Sequence, residues 1–193
     1  MFGNLINNLD INTILEYGTK ILIIFMILPI HEFAHAWSAY KLGDNTAYFK
    51  GRLTLNPIAH IDPFGAILLF FTGFGWAKPV PVNPNNFKNP RAGMAITAAA
   101  GPISNLIVSF IAMIIYRIII PFYNGTQTMD YLLTIIYFFI SINIGLAIFN
   151  LLPIPPLDGS RILSYFTSAK FDRKVDEYQK YILIGFFVLM MTG

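Results

Sequence analysis

The sequence has no cysteine, which excludes disulfides, thiolate metal sites and a cysteine nucleophile, so any metal must be held by His and carboxylate groups. Charge is scarce too. Asp, Glu, Lys and Arg make up 12% of the 193 residues against 55% hydrophobic ones, which is too apolar for an ordinary water-soluble domain and makes the lipid bilayer the expected solvent. The formal charge is +3 and the pI about 9.1, yet Lys and Arg stand singly between apolar runs and build no basic face, so no nucleic-acid partner is expected. Residues 1–10 contain no Lys or Arg and so lack the basic n-region of a cleaved signal peptide; the first apolar segment is expected to be retained. Internal repeats and low-complexity tracts are absent, and the length suits one membrane-embedded domain over residues 1–193.

What the sequence does have is apolar runs of membrane length. Residues 11–40 are expected to form a first helix, kinked by Pro29 just before His31 because proline removes a backbone donor. Gly43-Asp44-Asn45 marks a turn, and residues 46–55 suggest a short hairpin in an interfacial connector. Residues 63–77 are uncharged but short for a span, which predicts a re-entrant dip rather than a crossing. The run KPVPVNPNNFKNP at 78–90 favours an extended path. Residues 92–120 form a second helix, opening on the small-residue stretch Ala98-Ala99-Ala100-Gly101 that admits a close neighbour, and residues 131–152 form a third, stopped by Pro153, Pro155 and Pro156. An amphipathic stretch at 161–180 and a fourth apolar segment at 181–191 complete an all-α, polytopic bundle of about four transmembrane helices plus the re-entrant segment.

The positive charges predict its orientation. With the N-terminus outside, Lys41, Lys50, Arg52, Lys78, Lys88 and Arg91 follow the first helix on the inner side, and Arg161, Lys170, Arg173, Lys174 and Lys180 follow the third. Lys20 and Arg117 lie near outer helix ends, where long side chains snorkel, and the outer loop at 121–130 carries neither Lys nor Arg. This assignment requires that 63–77 does not cross.

His31-Glu32-Phe33-Ala34-His35 is the chemical signal. On a helix, His-Glu-x-x-His sets two imidazoles one turn apart on one face with a carboxylate beside them, a pattern suited to zinc with glutamate as general base. Two His and one Glu in an apolar span cost several kcal/mol unless satisfied, so function is favoured over interhelical hydrogen-bond glue. A catalytic zinc needs a third protein ligand and an open position. A third His six residues after the second would fall on Lys41, and the one Glu after Glu32 is Glu177. Asp44, His60, Asp62, Asp130, Asp158, Asp172 and Asp176 remain. Asp158 stands out, because it follows the third helix at the depth of His31 and His35, in a proline-rich turn where Gly159 allows a sharp bend. Its plainer reading is a helix cap before Arg161. His60 reads as a loop histidine with a local hydrogen bond or as a group behind the ligands. Asn105, Asn143 and Asn150 suit either a water-filled cavity or interhelical hydrogen bonds.

With HEFAH at 31–35, AAAGPISN at 98–105 and NLLPIPPLDG at 150–159, the chain resembles the site-2 protease family of intramembrane zinc metalloproteases, peptidase family M50. GRLTLNPIAHIDPFG at 51–65 and FGWAKPVPVNP at 74–84 look like its compact prokaryotic subgroup, which lacks PDZ and CBS domains. The resemblance implies that His31, His35 and Asp158 hold one Zn2+, that Glu32 is the general base, and that Asn150 binds the substrate backbone or oxyanion. It also implies a membrane-embedded hairpin within residues 52–82 that presents substrate as an extended strand. Membrane-anchored proteins or peptide remnants are the implied substrates, in a prokaryotic cell membrane with the site toward the cytoplasm.

The expected chemistry is peptide hydrolysis, in which zinc makes water acidic enough for Glu32 to take its proton and later pass it to the leaving amine. A transmembrane metal transporter and a catalytically silent scaffold are the rivals. A transporter leaves Glu32 unexplained and calls for ligands at several depths; a silent scaffold calls for a blocked access path.

Overall fold

The computed structural model describes residues 17–18, 21–72 and 75–192. The readings made for residues 1–10, and for most of the first half of the first predicted helix, lie outside the described residues. The elements are α1 (Leu28–Lys41), α2 (Thr46–Phe49), α3 (Pro57–His60), α4 (Pro63–Thr72), α5 (Pro90–Ile119), α6 (Gln127–Asn150), α7 (Asp158–Phe166) and α8 (Ala169–Thr192). Among the described residues there is no β-strand; one isolated antiparallel bridge joins Ile61 to Ala77.

The disturbance expected at Pro29 takes the form of a π-helical turn, Ile23–Ile27, in which the Leu28 N–H bonds the Ile23 carbonyl. Pro29 sits in the first turn of α1, where its missing N–H is tolerated. The hairpin expected over 46–55 is instead helical at its start. Asp44 accepts hydrogen bonds from the Thr46 N–H at 3.0 Å and from its hydroxyl at 2.5 Å, and this local bond starts the turn of α2. The segment expected to dip is α4, whose 10 residues reach about 15 Å, roughly half the hydrocarbon thickness.

α5 is the central element and touches α1, α6 and α7. Asn89 caps it by accepting from the Ala92 N–H at 3.1 Å, and Pro90 occupies its first turn. Its buried side is small and polar, with Gly93, Ala98, Gly101, Asn105, Ser109 and Ala112, while Ile107, Phe110, Ile111 and Ile118 face outward. That is the pattern of a helix whose solvent is lipid. Residues Pro90–Phe122 and Gln127–Asn150 are two helical stretches long and apolar enough to cross a membrane, and their most apolar windows are 17% and 11% buried. The core helix of a soluble domain would hide that surface.

α8 runs without a break through what the sequence divides into a charged stretch and an apolar segment. Arg91 at the start of α5 donates to the Thr167 carbonyl at 2.7 Å and to Asp172 at 2.5 Å, fastening α5 to the junction of α7 and α8.

Candidate metal centre

His31 and His35 lie one turn apart on α1 and are buried, 6% and 8% exposed. Their Nε2 atoms are 3.0 Å apart. Nδ1 of His35 lies 2.7 Å from the Thr97 carbonyl, an acceptor only, so that nitrogen carries the proton. In the neutral ring Nε2 is then a free lone pair, the form a metal requires.

Asp158 arrives from the opposite side as the first residue of α7. It does not cap the helix. Leu157 is the N-cap residue, and the Asp158 Oδ2 instead stands 3.2 Å from His31 Nε2 and 3.3 Å from His35 Nε2. That oxygen is buried and forms no well-aligned hydrogen bond, and the buried His31 Nδ1 has no partner either. Ligand atoms from the three residues fall within 4.8 Å of one another, the one such cluster of three or more His, Asp or Glu among the described residues. Two imidazoles and one carboxylate form a donor set suited to zinc, and the Asp158 oxygen converges on both Nε2 atoms without a well-aligned hydrogen bond to either, the arrangement that a shared cation requires.

Two glycines make this convergence possible. A Cβ at Gly101 would lie 2.4 Å from His35 Nε2 and 2.6 Å from His31 Cε1, so the small stretch of α5 makes room for the two imidazole rings. A Cβ at Gly159 would lie 2.2 Å from the Leu151 carbonyl oxygen. Gly159 does not adopt a positive φ, so its role is the close approach of α7 to the end of α6 rather than the bend expected from sequence.

Glu32 is buried at 9% exposure, and its Oε2 accepts a hydrogen bond from the Val80 N–H at 3.1 Å. The extended 77–83 segment that supplies this donor is held along its length. Lys78 N–H bonds the His60 carbonyl at 2.8 Å, Arg52 donates to the Lys78 and Pro79 carbonyls, and the Asn83 N–H bonds Asp44 at 2.7 Å.

The other sequence candidates separate clearly. His60 is buried but its Nε2 donates to the Thr54 carbonyl at 2.7 Å and its Nδ1 faces Arg52 at 3.3 Å, so it stands behind the 78–80 segment and outside the cluster. Burial, with the Arg52 charge adding to it, pushes its pKa below the ordinary 6.5 even though the bond to Thr54 pulls the other way. Asn150 turns back on its own helix and donates to the Leu146 carbonyl at 2.9 Å. Asn105 is fully buried one turn beyond Gly101, with both amide atoms unpartnered; Asn143 donates to the Phe139 carbonyl at 2.8 Å. Asp44 bonds Thr46, Asn83 and Asn86, Asp62 caps α4 through the Gly65 N–H, Asp130 accepts from Tyr123, and Asp172 pairs with Arg91. A cavity of about 320 Å³ lies beyond the Pro153–Pro156 turn and is lined by neither Glu32 nor any of the three clustered residues.

Sequence reasoning missed Thr97, Arg52 and Val80. Thr97 and Val80 act through backbone atoms, which carry no side-chain signature. Arg52 reads as one of the inner-side positive charges, yet it is 6% exposed and its guanidinium faces backbone carbonyls.

The family model described as Peptidase family M50 matches residues 117–192, a stretch that includes Asp158. A protein named "Putative zinc metalloprotease YwhC" from Bacillus subtilis is 42% identical over 175 residues, covering 89% of this chain and 80% of that protein. "Putative zinc metalloprotease Rip2" of Mycolicibacterium smegmatis is 26% identical over 188 residues, covering 91% of this chain and 68% of its own length. "Putative zinc metalloprotease MJ0611" of Methanocaldococcus jannaschii is 29% identical over 172 residues, covering 83% and 81%. No solved structure matches the chain at a significant level.

Proposed function

The chain belongs to peptidase family M50, and from that membership we propose that His31, His35 and Asp158 hold its catalytic Zn2+ while Glu32 serves as general base. It is an intramembrane zinc metalloprotease. The observation that carries the residue assignment is the convergence of three ligand atoms within 4.8 Å, with one carboxylate oxygen reaching both imidazoles and Glu32 on the same helix between the two histidines.

Zinc bound there supplies a Lewis acid that polarises the scissile carbonyl and makes a water nucleophilic near neutral pH. The protein does the rest. Thr97 fixes the His35 tautomer through its carbonyl, and Gly101 leaves the rings their space. Glu32 takes the proton from the attacking water and delivers it to the departing nitrogen, so the C–N bond breaks to a carboxylic acid, which then ionises, and an amine. Asn150 sits at the end of α6, with a side chain that would have to leave Leu146 to meet a substrate carbonyl. Asn105, with both amide atoms unpartnered, is suited to ordering water or substrate near the centre. His60 is read as a support for the 78–80 segment.

We read the substrates as membrane-anchored proteins or peptides, and the whole of 1–193 as one membrane-embedded domain of about four spans with α4 as the re-entrant segment. The positive-charge distribution supports an outer N-terminus and a site toward the cytoplasmic face of a prokaryotic cell membrane. The ligands cluster at one depth, which favours hydrolysis over metal transit.

The test is to incubate purified protein, loaded with zinc, with a panel of single-span peptides. E32Q should lose turnover while keeping one zinc per chain. Cleavage that persists in E32Q removes Glu32 from the mechanism, and cleavage that survives thorough chelation removes the metal.

A further inference from the structure

Backbone donors are scarce around Val80, because Pro79 and Pro81 on either side have no N–H. Val80 carries the one donor of the three, and it bonds Glu32 Oε2 at 3.1 Å. Its direction is set from the other side of the same peptide. The Pro79 carbonyl and the Val80 N–H belong to one planar unit and point opposite ways, so a group that grips the oxygen aims the hydrogen. Arg52 is that group. It donates to the Pro79 carbonyl at 3.2 Å through Nη1 and to the Lys78 carbonyl at 2.5 Å through Nη2. A rigid guanidinium fork reaches two successive carbonyls at once, which a lysine ammonium would not hold in one plane.

Arg52 is itself held. His60 donates from Nε2 to the Thr54 carbonyl, which leaves its Nδ1 as the acceptor facing Arg52 Nη2 at 3.3 Å. Neighbouring anchors, Lys78 N–H on the His60 carbonyl and Asn83 N–H on Asp44, fix the two ends of the segment and leave Arg52 to set the peptide between them.

We propose that Arg52 is a positioning residue for catalysis: by gripping the Pro79–Val80 peptide at its carbonyl, it aims the Val80 N–H at Glu32 and holds that carboxylate in one orientation beside the metal ligands. The inference rests on the reading of Glu32 as general base. A carboxylate free to rotate would spend less time aligned with the attacking water, so the loss belongs in turnover and not in substrate binding or metal content.

The experiment measures kcat, KM and zinc stoichiometry for the full chain in detergent, with one single-span peptide that the wild type cleaves. R52Q removes the fork and V80P removes the N–H; V80A trims the side chain but keeps the N–H and is the reference for V80P. R52Q and V80P should each lower kcat roughly 10- to 100-fold, the usual effect of losing an outer-sphere partner, with KM and zinc content unchanged. The R52Q/V80P double variant should fall no further than the lower single one, because both changes remove the same contact. Independent losses that multiply in the double variant, a V80P turnover equal to that of V80A, or a loss that falls on KM or on zinc content overturns the proposal. If R52Q does not fold, R52K, which keeps the charge but not the planar fork, takes its place in the same comparisons. E32Q separates the two levels: if it still turns over, the general-base reading fails, whereas an inactive E32Q beside a V80P as fast as V80A sinks only the positioning role.

Discussion

Gly101 stands where any Cβ would come within 2.4 Å of Nε2 on His35, an atom we propose as a zinc ligand. Alanine at this position favours a helix over glycine by about 1 kcal/mol, so G101A should leave α5 folded while forcing the imidazoles aside. The expected result is wild-type helicity by circular dichroism with zinc content reduced well below one per chain. Full zinc occupancy in G101A would show that the rings do not need this gap.

Among the described residues Asp158 is the one carboxylate that reaches both histidines. D158N keeps the shape and removes the charge, and zinc affinity should fall by more than the 10- to 100-fold typical of partners behind the ligands. Competition with a chromogenic chelator measures it. D172N, whose side chain pairs with Arg91 from the first turn of α8, provides the contrast and should leave the affinity unchanged.

Removing zinc should also lower thermal stability, because the folded chain binds the metal and the unfolded chain has no such site. At free zinc 100 times above the dissociation constant the stabilisation is about 2.7 kcal/mol, and it should vanish in H31A/H35A. Melting curves in detergent with and without a chelator test this; a melting temperature indifferent to zinc in the wild type would argue against a preformed centre.

Asp44 is fully buried in the loop after α1, and it ties that loop to Asn83 and Asn86. Burial pushes its pKa up, but the hydrogen bonds from Thr46, Asn83 and Asn86 outweigh it and hold the group below its ordinary 3.8. A depressed folded pKa means that the unfolded state takes up the proton first. The stability Asp44 contributes is therefore complete above the ordinary carboxylate range and is lost as pH falls through the lower folded value. D44A should cost on the order of 1–3 kcal/mol at neutral pH by leaving buried donors unpaired, and should flatten the acid limb of the melting temperature against pH.

Reporter fusions after Lys88 and after Lys170 should report the same, cytoplasmic compartment. The prediction follows from α4 being too short to span and from the positive charges flanking both positions. Because α5 and α6 together return the chain to the same side, a third fusion after Lys50 probes the segment itself: a compartment opposite to the one found after Lys88 would mean that residues 63–77 cross after all.

The sequence by itself determined that this chain lives in a membrane and that it carries a zinc-peptidase helix, because both properties are local. Long apolar runs such as those of α5 and α6 are written in consecutive residues, and the His31-Glu32-His35 face follows from helical periodicity alone. Asp158 was legible as a candidate, since depth and proline punctuation left few rivals. The tertiary structure decided what depends on distant backbone. Thr97 fixes a tautomer through a carbonyl, Gly101 is required by His31 and His35 far away in sequence, Gly159 by the close approach of α7 to the Leu151 carbonyl, and Val80 reaches Glu32 through an amide 48 residues away. Arg52 shows the limit most clearly: in the sequence it is one more positive charge near a membrane, and only folding, which brings the 78–80 carbonyls against it, turns that charge inward. Side-chain identity encodes chemistry and periodicity, but a backbone donor or acceptor is the same in every residue except proline, so its use is settled only by where the chain goes.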